Sequence, residues 1–191
     1  MNILFFDTSS NILTVGVSRG GERFLRSVDA GKNGHTGLLL PEIDFVLHEA
    51  ELTPSDMDAV AAVLGPGSFT GIRIGVATAA AFSRGTGAKK IGVTEFELIS
   101  RGRAGRVTAA VEAGHGNLYF ADCEDGMTVN SGFLTAEERG DESGFFFEPL
   151  FGRGETLASI AEAKAAAGDF SDILEPFYMR KSQAERTKDE V

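Results

Sequence analysis

Three apolar runs in the first 28 residues, followed by a change of period, constrain the fold more than anything else in this chain. NILFFD (2–7), ILTVGVS (12–18) and RFLRSV (23–28) are rich in β-forming residues; TSSN follows the first, and RGGE separates the second from the third. Two glycines between alternating runs favour a hairpin, because glycine enters the φ > 0 region of tight turns without steric cost. The spacing predicts a meander of three strands. From residue 35 the apolar positions change to Leu39, Ile43, Val46 or Leu47, and Ala50, the stripe of an amphipathic helix. Pro41 suits that helix if its first turn lies close by, where a missing N–H leaves no bond unmade.

The remainder continues in the same units. AVAAVL (59–64) is predicted as a buried strand, GPGSFTG (65–71) as a glycine turn, residues 72–84 as a helix of mostly small residues, KKIGVT (89–94) as a strand, and EFELIS as the start of a helix. After the charged seam RGRAGR (101–106) the pattern restarts with VTAAVEA (107–113) and NLYFADC (117–123), then the turn EDGMT. Residues 135–143 are polar and poorly patterned. FFFEPL (145–150) reads as a buried strand running into a second glycine loop, FGRGE (151–155), and TLASIAEAKAAAG as a helix stopped by glycine. Meanders followed by crossover helices imply mixed α/β sheets. The chain divides into an N-terminal lobe, 1–101, and a C-terminal lobe, 102–191, whose tail, 176–191, is expected to pack back on the first lobe.

Composition narrows the function classes. The chain of 191 residues is 42% hydrophobic and 24% charged, as in ordinary globular proteins. The start MNILFFDTSS lacks the basic segment of a signal peptide, and no apolar run reaches the ~20 residues of a membrane span, so a cytoplasmic protein is expected. Cys123 is the single cysteine and reads as a small, partly buried residue. A net charge of −10 disfavours binding of nucleic acid by the chain alone. The charge is uneven: seven basic residues lie between Arg73 and Arg106, and eight acids lie between residues 122 and 148 against Arg139 alone.

Three places could carry chemistry. Asp7, with Thr8 and Ser9, ends the first strand, where open α/β sheets meet their ligands. The turn with Gly65, Gly67, Ser68 and Gly71 precedes a helix, and free N–H groups there attract anions; Ser68 or Thr70 could cap it. Gly152 and Gly154 mark the third. GPGSFTG is neither a Walker loop nor a dinucleotide fingerprint. His35, His48 and His115 form no metal-ligand spacing, and His35 is assigned to capping or solvent at a helix start. No nucleophile elbow is present. Gly71, Gly75, Ala79 and Ser83 recur every four residues as one smooth helix face, while Ile72, Ile74, Val76 and Phe82 place apolar bulk around it. That pattern suits either internal packing or a helix contact between subunits.

ILFFDTSS, HTGLLLPEIDFVLHEA, LGPGSFTGIRIGVATAAAF and EPFYMRKSQAE together resemble the TsaB family, a subunit of the bacterial machinery that makes threonylcarbamoyladenosine in tRNA. The resemblance spans nearly the whole chain, with a shorter second lobe. VEAGHGNLY departs from the family motif: Glu112 stands where that motif has Asp, and Gly114 where it has Arg. The resemblance implies a two-lobed actin/Hsp70/sugar-kinase-like (ribonuclease H-like) fold, duplicated β-β-β-α-β-α-β-α, with the second lobe reduced. It implies a non-catalytic subunit, with no catalytic residue and no metal site of its own, that pairs with a TsaD-like catalytic subunit and helps recruit a TsaE-like ATPase. It implies tRNA contact only within the complex, a homodimer when alone, and ATP, ADP or Mg only at the subunit junction. By the same carry-over Leu39, Ile43, Val46 and Leu47, with Gly71, Ile72, Gly75, Val76, Ala79 and Phe82, face the partner. Asp7, Thr8, Ser9, Gly65, Gly67, Ser68, Gly152 and Gly154 would be remnants of a nucleotide site. The alternative is an ATP-dependent phosphotransferase or ATPase of the same fold; a peptidase lacks both metal ligands and nucleophile.

Overall fold

A computed structural model describes residues 1–31 and 34–179. Five strands build the first sheet: β1 (Asn2–Asp7), β2 (Ile12–Arg19), β3 (Glu22–Asp29), β4 (Ala59–Gly65) and β5 (Lys89–Thr94), in the order β3-β2-β1-β4-β5. The meander pairs antiparallel, whereas β4 and β5 join β1 in parallel. The second sheet holds β6 (Arg106–Glu112), β7 (Leu118–Glu124), β8 (Met127–Leu134) and β9 (Phe145–Phe146), in the order β8-β7-β6-β9. Its antiparallel meander with β9 parallel to β6 repeats the first four strands of the first sheet. The α/β duplication expected from the motif order is therefore present as topology. The second lobe is reduced at a definite place: no helix joins β8 to β9.

Helices α1 (Gly34–Glu49) and α2 (Phe69–Thr86) cover one face of the first sheet, where Leu39, Ile43, Val46, Leu47, Ile72, Val76 and Ala79 meet Leu4, Phe6, Val60 and Ala62. The opposite face, with Ile3, Phe5, Ala61 and Ile91, is covered by α4 (Arg153–Ala167) through Leu157, Ala158, Ile160 and Ala161. β1 is thus buried on both sides, which is why it reads as continuously apolar rather than alternating. The short α3 (Glu95–Ser100), with a Thr94–Glu97 capping box, wedges between the sheets: Leu98 enters the core beneath α4, and Phe96 and Ile99 meet Ala109, Ala121 and Cys123. Cys123 is fully buried.

Several expectations are corrected. α1 begins at Gly34, so Pro41 lies in its second turn rather than its first. The lost bond is tolerated because Leu39, Ile43, Val46 and Leu47 are all at most 3% exposed, and their packing outweighs a local cost of about 3 kcal/mol. α2 starts at Phe69, three residues earlier than predicted, on its Ser68 cap. The strand expected over 145–150 shrinks to Phe145–Phe146, half-buried, with only Thr108 and Ala109 as partners. FGRGE is no loop beyond Gly152, because α4 begins at Arg153. Within the expected tail, Phe177 N–H donates to Leu64 O (2.7 Å), and Tyr178 stacks on Phe69 with centroids 5.1 Å apart. Residues 180–191 lie outside the described residues.

The largest correction concerns the two helix faces. Leu39, Ile43, Val46, Leu47, Gly71, Ile72, Gly75, Val76 and Ala79 are buried within this chain, and Phe82 is half-buried. None of the nine offers an exposed side chain on this chain's own surface. Gly71 and Gly75 face the turn after β1: a methyl at Gly71 would overlap the carbonyl oxygen of Thr8, and one at Gly75 the Thr8 hydroxyl. The four-residue glycine repeat lets α2 approach its own sheet. The exposed ridges are instead Leu40 and Asp44 on α1 with Arg73, Ala77, Ala80, Ala81 and Arg84 on α2.

Candidate functional site

Because β1, β4 and β5 are parallel, their C-terminal ends lie along one sheet edge. That edge carries Asp7 at the end of β1, the 65–68 turn after β4, and Glu95 just after β5. The turn after β1 is bound tightly to the glycine turn. Ser9 N–H donates to Asp7 Oδ1 (2.7 Å), Ser68 N–H to Ser9 O (2.7 Å), Thr8 Oγ1 to Gly71 O (2.7 Å), and Gly71 N–H to Ser68 Oγ (3.2 Å). Gly67 is close enough to Ser9 that a Cβ there would collide with the Ser9 carbonyl oxygen. These N–H groups are satisfied inside the chain and do not form an open anion cradle.

Arg153, the first residue of α4, fills the space between the two carboxylates. Its Nε donates to Asp7 Oδ2 and one terminal nitrogen donates to Glu95 Oε2. The same nitrogen reaches Ser9 Oγ at 3.3 Å, and Ser9 Oγ donates to Glu95 Oε2 at 3.2 Å. Asp7 is 0% exposed and Glu95 5%. A cation at a helix N-terminus opposes the helix dipole. Two buried carboxylates outweigh that penalty here. Burial works against the Arg153 charge, but Asp7 and Glu95 more than offset it and raise the guanidinium pKa. Two acids face one base, and burial pushes Glu95 up to about 7, with Arg153 pulling it down and the Asp7 charge pushing it further up.

This carries a pH dependence. The folded-state pKa of Glu95 exceeds its ordinary 4.5, so the folded chain binds the extra proton between pH 4.5 and about 7. Its stabilising effect is complete below 4.5 and is lost as the pH rises through 7. Glu95→Gln, which keeps the shape without the charge, therefore gains stability relative to wild type by about 2–3 kcal/mol between pH 5 and pH 7.5. Urea denaturation at the two pH values measures it; parallel changes in both proteins would show that Glu95 does not titrate in that window.

Beside Arg153 a cleft of about 230 Å³ separates the sheets, lined among others by Ser10, Pro66, Glu95, Glu112, Phe147 and Glu148. Arg139, from the helix-less segment after β8, binds Glu112 Oε1 (2.7 Å) and Gly116 O (3.0 Å). An arginine thus reaches Glu112 from elsewhere, whereas Gly114 is a turn residue with φ +77°. Mg-ATP does not fit this arrangement: Asp7 is held by Arg153, the Ser68 and Gly71 N–H groups are bonded within the chain, and three carboxylates line the cleft. Among the described residues no group of three His, Cys, Asp or Glu could hold a metal ion, and no helix is long and apolar enough to cross a membrane.

Of the residues singled out in the sequence, Asp7, Thr8, Ser9, Gly65, Gly67 and Ser68 come together. Gly152 caps α4 and delivers Arg153. Gly154 does not join them; its Cβ position lies 3.1 Å from Thr14 and 3.3 Å from Leu25, so it serves the packing of α4 on the first sheet. Glu95 and Arg153 were missed. The available signals were an acid immediately after a parallel strand and a basic residue at a helix start, where the dipole disfavours it.

The family model described as "TsaD: tRNA N6-adenosine threonylcarbamoyltransferase" matches residues 30–135, more than half of the chain. The tRNA threonylcarbamoyladenosine biosynthesis protein TsaB of Escherichia coli is 26% identical, over 96% of this chain and 96% of its own. An uncharacterised protein of Mycobacterium tuberculosis is 34% identical over 65% of this chain, which spans about 60% of that relative's length. Among solved structures, YeaZ from Pseudomonas aeruginosa superposes with a TM-score of 0.76 at 22% identity, covering 93% of this chain and 99% of the other. A second Pseudomonas aeruginosa structure, described as an uncharacterised protein with similarity to peptidase YeaZ, gives 0.79 at 23% identity over 94% and 99%. The chain belongs to the TsaB family, inside the wider TsaD-type group that the matching model describes.

Proposed function

We propose that this chain is a non-catalytic subunit in the synthesis of threonylcarbamoyladenosine in tRNA, acting in the cytoplasm by pairing with a TsaD-like catalytic subunit. The observation that carries this reading is the Arg153 side chain bound to Asp7: the strand-end carboxylate that a nucleotide-using relative of this fold would need is already neutralised. The kinship with TsaB proteins supports the pathway. The phosphotransferase or ATPase alternative requires Arg153 to leave two buried carboxylates, and no observation favours it.

Pairing runs through the exposed ridges of α1 and α2, where Leu40 is 61% exposed and Ala77, Ala80 and Ala81 leave a low surface for a second helix pair. The same surface serves a homodimer in the absence of the partner. The heterodimer recruits a TsaE-like ATPase and meets tRNA as a composite, with ATP, ADP or Mg entering only at the junction. Calorimetric titration with a TsaD-like protein from the same source tests this. Wild type binds, and Leu40→Asp combined with Ala77→Arg weakens binding at least about a hundredfold, or ~2.7 kcal/mol, while urea stability stays within about 0.5 kcal/mol per site. A wild-type chain that fails to pair and hydrolyses ATP alone would overturn the reading.

A further inference from the structure

The cleft beside Arg153 holds a charge imbalance that the ion pairs around it do not remove. Asp7 and Glu95, both buried, share the single guanidinium of Arg153. Glu112 has its own arginine, since Arg139 binds its two carboxylate oxygens at 2.7 and 3.2 Å. Glu95 is the informative group. Its Oε2 accepts from Arg153 and from Ser9 Oγ, whereas Oε1 has no partner among the described residues. Among those residues only His35 Nε2 is both unpaired and sealed from solvent, so Glu95 Oε1 keeps an opening, and Glu95 lines the cleft. A carboxylate 5% exposed, with a shared counter-charge and one free oxygen, is costly to keep ionised unless a cation reaches it. Burial pushes its pKa up to about 7, so in mildly acidic solution a proton meets that need; above it, a bound cation can.

The walls select among cations. A guanidinium binds best to a carboxylate with both oxygens free, and Glu95 offers one. A divalent metal needs several protein ligands, and among the described residues no group of three His, Cys, Asp or Glu could hold one. An ammonium is a compact charge whose three N–H bonds go to separate acceptors, so one free carboxylate oxygen suits it. Glu148 adds a second negative charge at the wall: it is exposed, and its carboxylate has no partner among the described residues, Arg103 binding its carbonyl oxygen instead. Arg153 also lines the cleft, but its charge is taken up by Asp7 and Glu95 Oε2. Pro66, Val111 and Phe147 give the space of about 230 Å³ apolar sides along which an alkyl stem can lie. We infer that this cleft binds a primary alkylammonium group, its head paired with Glu95 Oε1 and its stem along Phe147.

The test uses the full chain, ¹⁵N-labelled, at a fixed pH of 8, where Glu95 is mostly ionised. It is titrated separately with n-butylammonium chloride, with n-butanol and with sodium chloride. The amide signals of Gly67, Val111 and Phe147 report on the cleft, and Gly168, at the far end of α4, serves as the reference. The expected result is a saturable shift of the cleft signals with n-butylammonium and with neither control. Glu95→Gln, which keeps the shape and removes the charge, should weaken that response about tenfold or more. A lysine blocked at its α-amine and carboxyl separates two sources of the same group. Binding at least as tight as that of n-butylammonium assigns the side chain of a protein lysine; weaker binding assigns a free small amine. No saturable shift, an equal response to n-butanol, or an unchanged response in Glu95→Gln overturns the proposal. Because the readout is taken on the free chain, failure here leaves the pairing reading untouched.

Discussion

Arg153→Ala lowers the stability of this chain at pH 7.5 by about 4 kcal/mol, the size seen when one partner of a buried ion pair is removed and the other charges remain. Asp7 and Glu95 are 0% and 5% exposed, so neither carboxylate can recover water without opening the seam between the sheets. One relief is open: Glu95, already pushed up to about 7 by burial, takes a proton once the guanidinium is gone. The loss should therefore shrink at pH 5.5, where that proton is easily acquired. For a chain of this length 4 kcal/mol corresponds to a fall in Tm of roughly 10 °C. Asp7→Asn with Glu95→Gln and Arg153→Met removes all three charges together and should return most of the lost stability, because the desolvation penalty goes with them. Urea denaturation at pH 5.5 and 7.5 decides it. A loss below about 1 kcal/mol, equal at both pH values, would mean that solvent already reaches the carboxylates and that Arg153 does not close the site.

That cluster also shows where sequence reading stops. The strands of the meander are legible because hydrophobic period and turn residues act within a few positions of one another: β1, β2 and β3 appear where NILFFD, ILTVGVS and RFLRSV place them. Arg153 and Asp7 are 146 positions apart, and nothing local at either residue announces the other. β9 is two residues long and held by β6, too short for any period to register. α2 exposes a different limit. Its small and apolar residues lie on nearly every side, so the pattern groups Gly71, Gly75 and Ala79 on one face without saying whether sheet or partner receives it. Only the Thr8 carbonyl beneath Gly71 resolves that choice. His35 was misplaced for the same kind of reason: its position at a helix start suggested solvent, yet it is buried in the folded chain.

The glycines of α2 provide the second large effect, and a graded one. In an exposed helix interior, glycine to alanine stabilises by about 1 kcal/mol through backbone entropy. Gly85, with nothing within 4 Å of its Cβ position, should show that gain. Gly71→Ala meets the opposite outcome. Its methyl would overlap the Thr8 carbonyl oxygen, a backbone atom fixed by β1 and unable to rotate away. α2 must then lift from the sheet, losing the Thr8 Oγ1 bond to Gly71 O and part of the contact of Ile72 and Val76 with the core. Overpacking and the broken buried bond together outweigh the propensity gain, for a net loss of about 3 kcal/mol. Gly75→Ala falls between, because its methyl meets the Thr8 hydroxyl, which can turn aside at the cost of that bond. The order Gly85→Ala, Gly75→Ala, Gly71→Ala in decreasing stability is the expected result of thermal and urea unfolding on the isolated chain. Unchanged stability in Gly71→Ala, coupled with lost pairing to a TsaD-like partner, would return the glycine face to the subunit interface. A stability loss that accounts for any loss of pairing keeps that face inside this chain and leaves the partner to the ridges that carry Leu40 and Ala77.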